Sequence, residues 1–150
     1  MRIYLACTVR GNRDHLAVTR ALARRLIELG HEVLTAHLLE DDVDAREASL
    51  DEQQVYARDL RWLTACDVLV AEASGSSYGV GFEVGYVLGQ AGQTDQRVYV
   101  LYRADRRDAI SRLIPGTSHP RCTTRAYTST AELLAFIDEQ FGPGRPHFFG

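Results

Sequence analysis

The 150-residue sequence contains no lysine; all 17 of its basic residues are arginine. That absence excludes Schiff-base chemistry, a lysine-anchored pyridoxal phosphate, the P-loop lysine and the kinase lysine in one step. Cysteine is scarce as well. Cys7, Cys66 and Cys122 form no CxxC pair and leave an odd count, which suits three free thiols in a reducing compartment better than a disulfide framework. No stretch approaches the roughly 18 apolar residues of a membrane helix. The apolar run Ile3 to Ala6 follows no basic leader, so the expected location is the cytoplasm, with no membrane partner. Positive charge is not in excess either: 17 basic residues face 20 acidic ones, a formal charge of −3. A nucleic-acid polymer needs basic side chains aligned along phosphates, so a small-molecule ligand fits better.

What is present describes one domain spanning residues 1–150, with 45% apolar and 25% charged residues. A chain of this length buries roughly 68–70% of its unfolded surface and needs no disulfide or structural metal. The pattern alternates strand and helix. Ile3-Tyr4-Leu5-Ala6 reads as a strand, Thr8-Val9-Arg10-Gly11 as a turn, and about Asn12 to Leu29 as a helix stopped by Gly30. Val33 to Ala36 reads as a second strand and the acidic run Glu40 to Glu47 as a solvated loop. Ser49 with Glu52 has capping-box spacing ahead of a helix to about Ala65.

Asp67 to Ala71 is nearly continuous apolar sequence, the mark of a central parallel strand buried on both faces. A Ser/Gly loop, Ser74 to Gly79, precedes an apolar helix around Gly81 to Gln90, and Val98 to Leu101 makes the next strand. Arg103 to Arg112 reads as a polar excursion and Arg125 to Tyr127 as a weak edge strand. Ser129 with Glu132 caps a final helix to about Phe141, before a Pro/Gly-rich tail with Phe148-Phe149. Alternating elements and right-handed crossovers predict a three-layer α/β fold, flavodoxin-like or Rossmann-like, around a five-stranded parallel sheet.

In such sheets ligands bind beyond the carboxyl ends of the strands: here Cys7 to Gly11, His37, Glu72 to Ser77 and Arg103. The Ser/Gly loop opening a helix offers N–H groups and a positive dipole end to an anion, or is simply a turn. Gly79-Val80-Gly81 lacks the full dinucleotide fingerprint.

Glu83 is the only charged side chain between Glu72 and Asp95, and it is expected in the first turn of a helix built for burial. Such a carboxylate is costly unless partnered, so it either serves chemistry or caps its own helix. Asp59 interrupts an apolar stripe of Val55-Tyr56, Trp62-Leu63 and Cys66. Arg58 and Arg61 lie off that stripe, so a local salt bridge is not the obvious reason, although a buried structural aspartate fits too. Two carboxylates in apolar surroundings near an anion site suit glycosyl transfer, one attacking an anomeric carbon and the other serving the leaving group. His31, His119 and His147 have no metal-like spacing and are expected in solvent.

Ile3-Tyr4-Leu5 through Thr8-Val9-Arg10-Gly11, then Asp59-Leu60-Arg61-Trp62-Leu63, Asp67 to Glu72 and Ser77 to Gly85 occur in order over about residues 2–116. Together they resemble the 2′-deoxynucleoside 5′-monophosphate N-hydrolases of the nucleoside 2-deoxyribosyltransferase superfamily. The resemblance implies release of free base and 2-deoxyribose 5-phosphate, with Glu83 as the nucleophile, Asp59 assisting base departure and Tyr4 orienting Glu83. It implies a 5′-phosphate cradle of Thr8, Val9, Arg10, Gly11 and Ser77, completed by Ser111 of the neighbouring subunit in a homodimer. His37, Gly79 and Gly81 are further substrate contacts by the same resemblance, and no cofactor or metal is implied. Ala6-Cys7-Thr8 differs from the family's usual Cys-Gly-Ser-like turn, and Pro115 stands where arginine is commoner. The alternatives are a deoxyribosyltransferase, a cytidylate-type N-glycosidase, and a non-catalytic nucleotide-binding domain. Taken singly, Tyr4 reads as a core aromatic, Ser77 and Ser111 as cap or turn residues, and Cys7 as a buried hydrophobe; the ordered co-occurrence of the motifs is what favours the functional reading.

Overall fold

The computed structural model describes residues 1–8, 16–40 and 48–144. Strands β1 (Arg2–Ala6), β2 (Glu32–Val33), β3 (Val68–Glu72), β4 (Arg97–Arg103) and β5 (Cys122–Tyr127) form one parallel sheet in the order β2-β1-β3-β4-β5. Between them run helices α1 (Leu16–Glu28), α2 (Glu52–Ala65) and α3 (Tyr78–Gln90), and α4 (Thr130–Phe141) closes the fold. This is the flavodoxin-like arrangement, with its switch point between β1 and β3, where the chain departs in opposite directions and opens a crevice.

Alternation along the strands splits the core into two layers. Ile3, Leu5, Val68, Val70, Tyr99, Leu101 and Tyr127 pack against Leu22 and Leu26 of α1 and Leu133 and Ile137 of α4. On the other face Tyr4, Ala6, Leu69, Ala71, Val98 and Val100 meet Leu63 of α2 and Val80, Val84 and Val87 of α3. Every residue of β3 is buried, as its apolar run requires. Gly30 adopts φ +84, and the N–H groups of Gly30 and His31 return to Ile27 and Leu26, ending α1 in a Schellman motif that needs glycine's freedom.

Several boundaries differ from the sequence reading. β2 stops at Val33 rather than Ala36, because the Thr35 hydroxyl accepts from Leu5 N–H at 3.0 Å and donates to Leu5 O at 2.7 Å. A side chain thereby takes the pairing the next backbone unit would have made, and the chain turns into a 3₁₀ segment, Ala36–Leu39. The capping box ahead of α2 is Asp51 with Gln54, not Ser49 with Glu52; a carboxylate caps a helix N-terminus with its charge as well as its oxygen. β5 is a full six-residue edge strand whose side chains alternate in burial. His31 is no solvent residue: its Nε2 lies 2.9 Å from Phe141 O and its ring meets the Phe141 ring edge-on. His119 is likewise half-buried, its Nδ1 accepting from Arg121 N–H. Residues 9–15, 41–47 and 145–150, including most of the first turn, the acidic run, His147 and Phe148-Phe149, lie outside the described residues.

Candidate active site

Tyr4 stands in the middle of β1, paired in register with Leu69 of the central strand, so its ring is clamped inside the layer beneath α2 and α3. Its hydroxyl emerges under α3 and donates to Glu83 Oε1 at 2.7 Å. Glu83 is the sixth residue of α3, in the second turn rather than the first, and it is not the cap of its own helix. That position belongs to Ser77, whose hydroxyl accepts from Val80 N–H at 3.5 Å.

Burial raises the Glu83 carboxyl to about 7; the Tyr4 hydrogen bond works against that rise and the nearby Asp59 charge adds to it. Burial, and then the facing carboxylates of Glu83 and Asp59, push the Tyr4 hydroxyl far upward, so it remains a proton donor throughout the working pH range. Asp59 comes in from α2. Contrary to the sequence reading, it makes a local ion pair, accepting from Arg58 Nε at 2.8 Å with both side chains largely buried. A guanidinium can fold back along its own turn, which the position of Arg58 off the stripe does not reveal: Arg58 lies over the Trp62 ring at 5.0 Å. His37 packs its ring on the same Trp62, 5.2 Å away.

Asp59 and Glu83 line one open cleft of about 160 Å³ with Tyr56, Leu60, Leu63, Gly79 and Phe82. Two acidic groups thus share one cleft with largely apolar walls. Tyr56 and Phe82 escaped the sequence reading as wall residues, although Tyr56 shares the Asp59 stripe. Their rings sit 6.4 Å apart and tilted, half-exposed, an aromatic pair in contact along one wall of the cleft. Gly79 gives the cleft a floor without a side chain, whereas Gly81 faces open space on the helix exterior.

At the carboxyl end of β1, Thr8 Oγ1 is buried without a hydrogen-bond partner among the described residues. Val9, Arg10 and Gly11 lie outside the described residues. Ser111 is exposed after a 3₁₀ segment, Ala104–Ala109, its hydroxyl accepting a long 3.4 Å contact from Leu113 N–H. Cys7, Cys66 and Cys122 are all free thiols. Among the described residues no group of three or more His, Cys, Asp or Glu gathers to hold a metal ion, and no helix is long and apolar enough to cross a membrane.

Residues 3–140 match the family model of nucleoside 2-deoxyribosyltransferases. A Thermofilum pendens protein provisionally named 2′-deoxynucleoside 5′-phosphate N-hydrolase 1 is 36% identical over 144 residues, 96% of each chain. The 5-hydroxymethyl-dUMP N-hydrolase of Homo sapiens is 32% identical over 146 residues, covering 96% of this chain and 81% of that one. In structure the chain is similar to a CMP N-glycosidase of Clostridium botulinum, with TM-score 0.68 and 20% identity over 93% of this chain and 99% of that one. With a family match over nearly its whole length and relatives above 30% identity, the chain belongs to the nucleoside 2-deoxyribosyltransferase family.

Proposed function

We propose that this protein is a nucleotide N-glycosidase that hydrolyses 2′-deoxynucleoside 5′-monophosphates to free base and 2-deoxyribose 5-phosphate. The observation that carries the reading is the Tyr4–Glu83 hydrogen bond of 2.7 Å at a cleft that also holds Asp59. In the first step a Glu83 carboxylate oxygen bonds to C1′ as the C1′–N bond breaks, and the electron pair leaves with the base. Tyr4 fixes the carboxylate for attack and keeps its second oxygen toward the sugar. Asp59, held by Arg58, faces the departing base and the sugar hydroxyls. A second carboxylate also favours the positive charge that develops on the sugar ring. Water then attacks C1′ of the glycosyl-enzyme as the C1′–O bond to Glu83 breaks; its hydroxyl stays on C1′, its other proton ends on the departed base, and the Glu83 carboxylate is restored as the sugar phosphate leaves.

The 5′-phosphate falls to Thr8, the first turn of β1 and the start of α3. Thr8 brings a buried hydroxyl with no hydrogen-bond partner among the described residues, and α3 brings the positive end of a helix behind Ser77. Ser111 serves the site of the neighbouring subunit. Its exposure supports that role, as does apolar surface left in the open around both phosphate segments: Tyr78 is fully exposed and Leu113 82% exposed. The three free thiols agree with a cytoplasmic home.

The deciding experiment is a chromatographic panel of ribo- and deoxynucleoside 5′-monophosphates and the matching nucleosides, scored for free base with and without a second base. Base release confined to deoxynucleoside monophosphates is expected. Release from unphosphorylated nucleosides, with a new nucleoside when a second base is present, would replace the hydrolase reading by transfer.

A further inference from the structure

The mechanism leaves a second buried carboxylate unused. Glu72 is 2% exposed at the end of β3, on the sheet face covered by α1 and α4, away from Glu83. Its Oε1 accepts from the Ser74 hydroxyl, from Ser74 N–H at 3.3 Å and from the Tyr127 hydroxyl at 2.9 Å. Burial and the adjacent Glu72 charge hold that tyrosine protonated. A carboxylate so enclosed resists movement, because every displacement strands either the charge or a donor.

Ser74, itself fully buried, is the junction. Its hydroxyl accepts from Arg103 N–H at 2.8 Å and its carbonyl from Arg106 Nε at 3.4 Å. Forward of Ser74 the loop passes Ser76 at φ +53, a conformation that a residue with a Cβ holds only under constraint, and delivers Ser77 to the cap of α3. On the other side, Arg103 ends β4 and Arg106 lies in the 3₁₀ segment that leads to Ser111. One serine thus joins the two segments that carry the phosphate-facing hydroxyls.

We infer that Glu72, acting through Ser74 and Tyr127, is a positioning residue that sets both 5′-phosphate segments, Ser77 for its own site and Ser111 for the neighbour's. The inference rests on the phosphate reading above. Glu72→Leu removes charge and acceptor, Tyr127→Phe removes one donor, and Glu72→Gln keeps an acceptor oxygen in place.

The test measures KM and kcat on the preferred deoxynucleoside monophosphate, competitive inhibition by inorganic phosphate, and melting temperature. Glu72→Leu should raise KM and the phosphate inhibition constant together by about tenfold, with kcat within about threefold. Tyr127→Phe should shift both the same way by less, and Glu72→Gln should recover most of the loss. A lowered melting temperature with both constants unmoved would overturn the inference, as would a fall confined to kcat. Should Glu72→Leu not fold, Tyr127→Phe decides alone, and unchanged constants there overturn it. Wild-type protein that turns over nucleoside as well as nucleotide removes the phosphate reading before any variant is made, so the two failures are distinguishable.

Discussion

Two glutamate–tyrosine pairs sit on opposite faces of one sheet, in opposite surroundings. Glu72 ends a strand, sealed from solvent, with three hydrogen bonds converging on one oxygen. Glu83 sits on a helix beside an open cleft; the Tyr4 hydroxyl holds its Oε1, and a second carboxylate lines the same cleft. Donors lower a carboxylate's proton affinity and burial raises it, and at Glu83 burial wins, carrying the group to about 7. The difference teaches that burial alone does not mark a reactive carboxylate. The proposed nucleophile combines burial with few donors and an open side.

The largest expected effect separates the pairs by conservative substitution. Glu83→Gln preserves shape and the Tyr4 contact but removes the carboxylate proposed as nucleophile, so on that proposal kcat on a deoxynucleoside monophosphate should fall by about 10³-fold or more. Glu72→Gln should leave kcat within about threefold, since no bond to the sugar forms there. Steady-state base release on both variants checks this, and equal losses would erase the contrast.

A second expected effect concerns which subunit completes the site. If Ser111 serves the neighbour, Ser111→Ala and Glu83→Gln damage the same active centre from different chains. Each variant alone should be impaired, yet unfolding and refolding them together should restore activity, because a mixed dimer contains one site with both residues intact. Random pairing makes that about a quarter of all sites. Activity of the mixture that is merely the average of the two variants would place Ser111 in its own subunit's site or outside the chemistry.

The fold and one side of this contrast, Glu83, are legible in the sequence. The continuous apolar run of β3, the Gly30 stop and the isolation of Glu83 in an uncharged stretch are local signals, readable from spacing. The partners were less legible, because they depend on contacts that sequence distance hides. Tyr127 reaches Glu72 across 55 positions, and its hydroxyl is aimed only because β5 extends to Tyr127 in register with Arg103 of β4. Arg58 pairs with the adjacent Asp59 by folding over Trp62, a path that helical-wheel reasoning does not contain. The turn after β2 escaped for the same reason, since Thr35 bonds to a strand 30 positions earlier.

A smaller effect sharpens the reactive pair. Tyr4→Phe removes the donor that restrains Glu83, so the carboxyl should titrate above its present value of about 7, and the acid limb of kcat/KM against pH should move upward. The loss of one hydrogen bond to a charged group corresponds to about tenfold in kcat/KM at neutral pH, with partial recovery at higher pH as the carboxylate is regained. An unshifted limb would mean that Tyr4 aligns Glu83 without tuning it.

The smallest effect concerns stability rather than rate. In the unfolded chain Glu83 titrates near its ordinary 4.5, whereas in the fold it holds its proton to about 7. Between those values the folded state binds more protons than the unfolded state, so the contribution of this group to stability falls as pH rises through the window. The full span corresponds to a penalty of at most about 3 kcal/mol, fully developed only above pH 7. Glu83→Gln carries no charge to desolvate and keeps an oxygen for Tyr4. It should match the wild type below pH 4.5 and melt several degrees higher at pH 8, the usual direction when a residue kept for chemistry is neutralised. Glu72, whose Oε1 is met by three donors, should lose rather than gain stability on conversion to glutamine, because the amide disturbs that hydrogen-bond set. A wild-type melting temperature that stays level with Glu83→Gln from pH 4 to 8 would show that Glu83 carries no such penalty, and the two carboxylates would then differ only in access to the cleft.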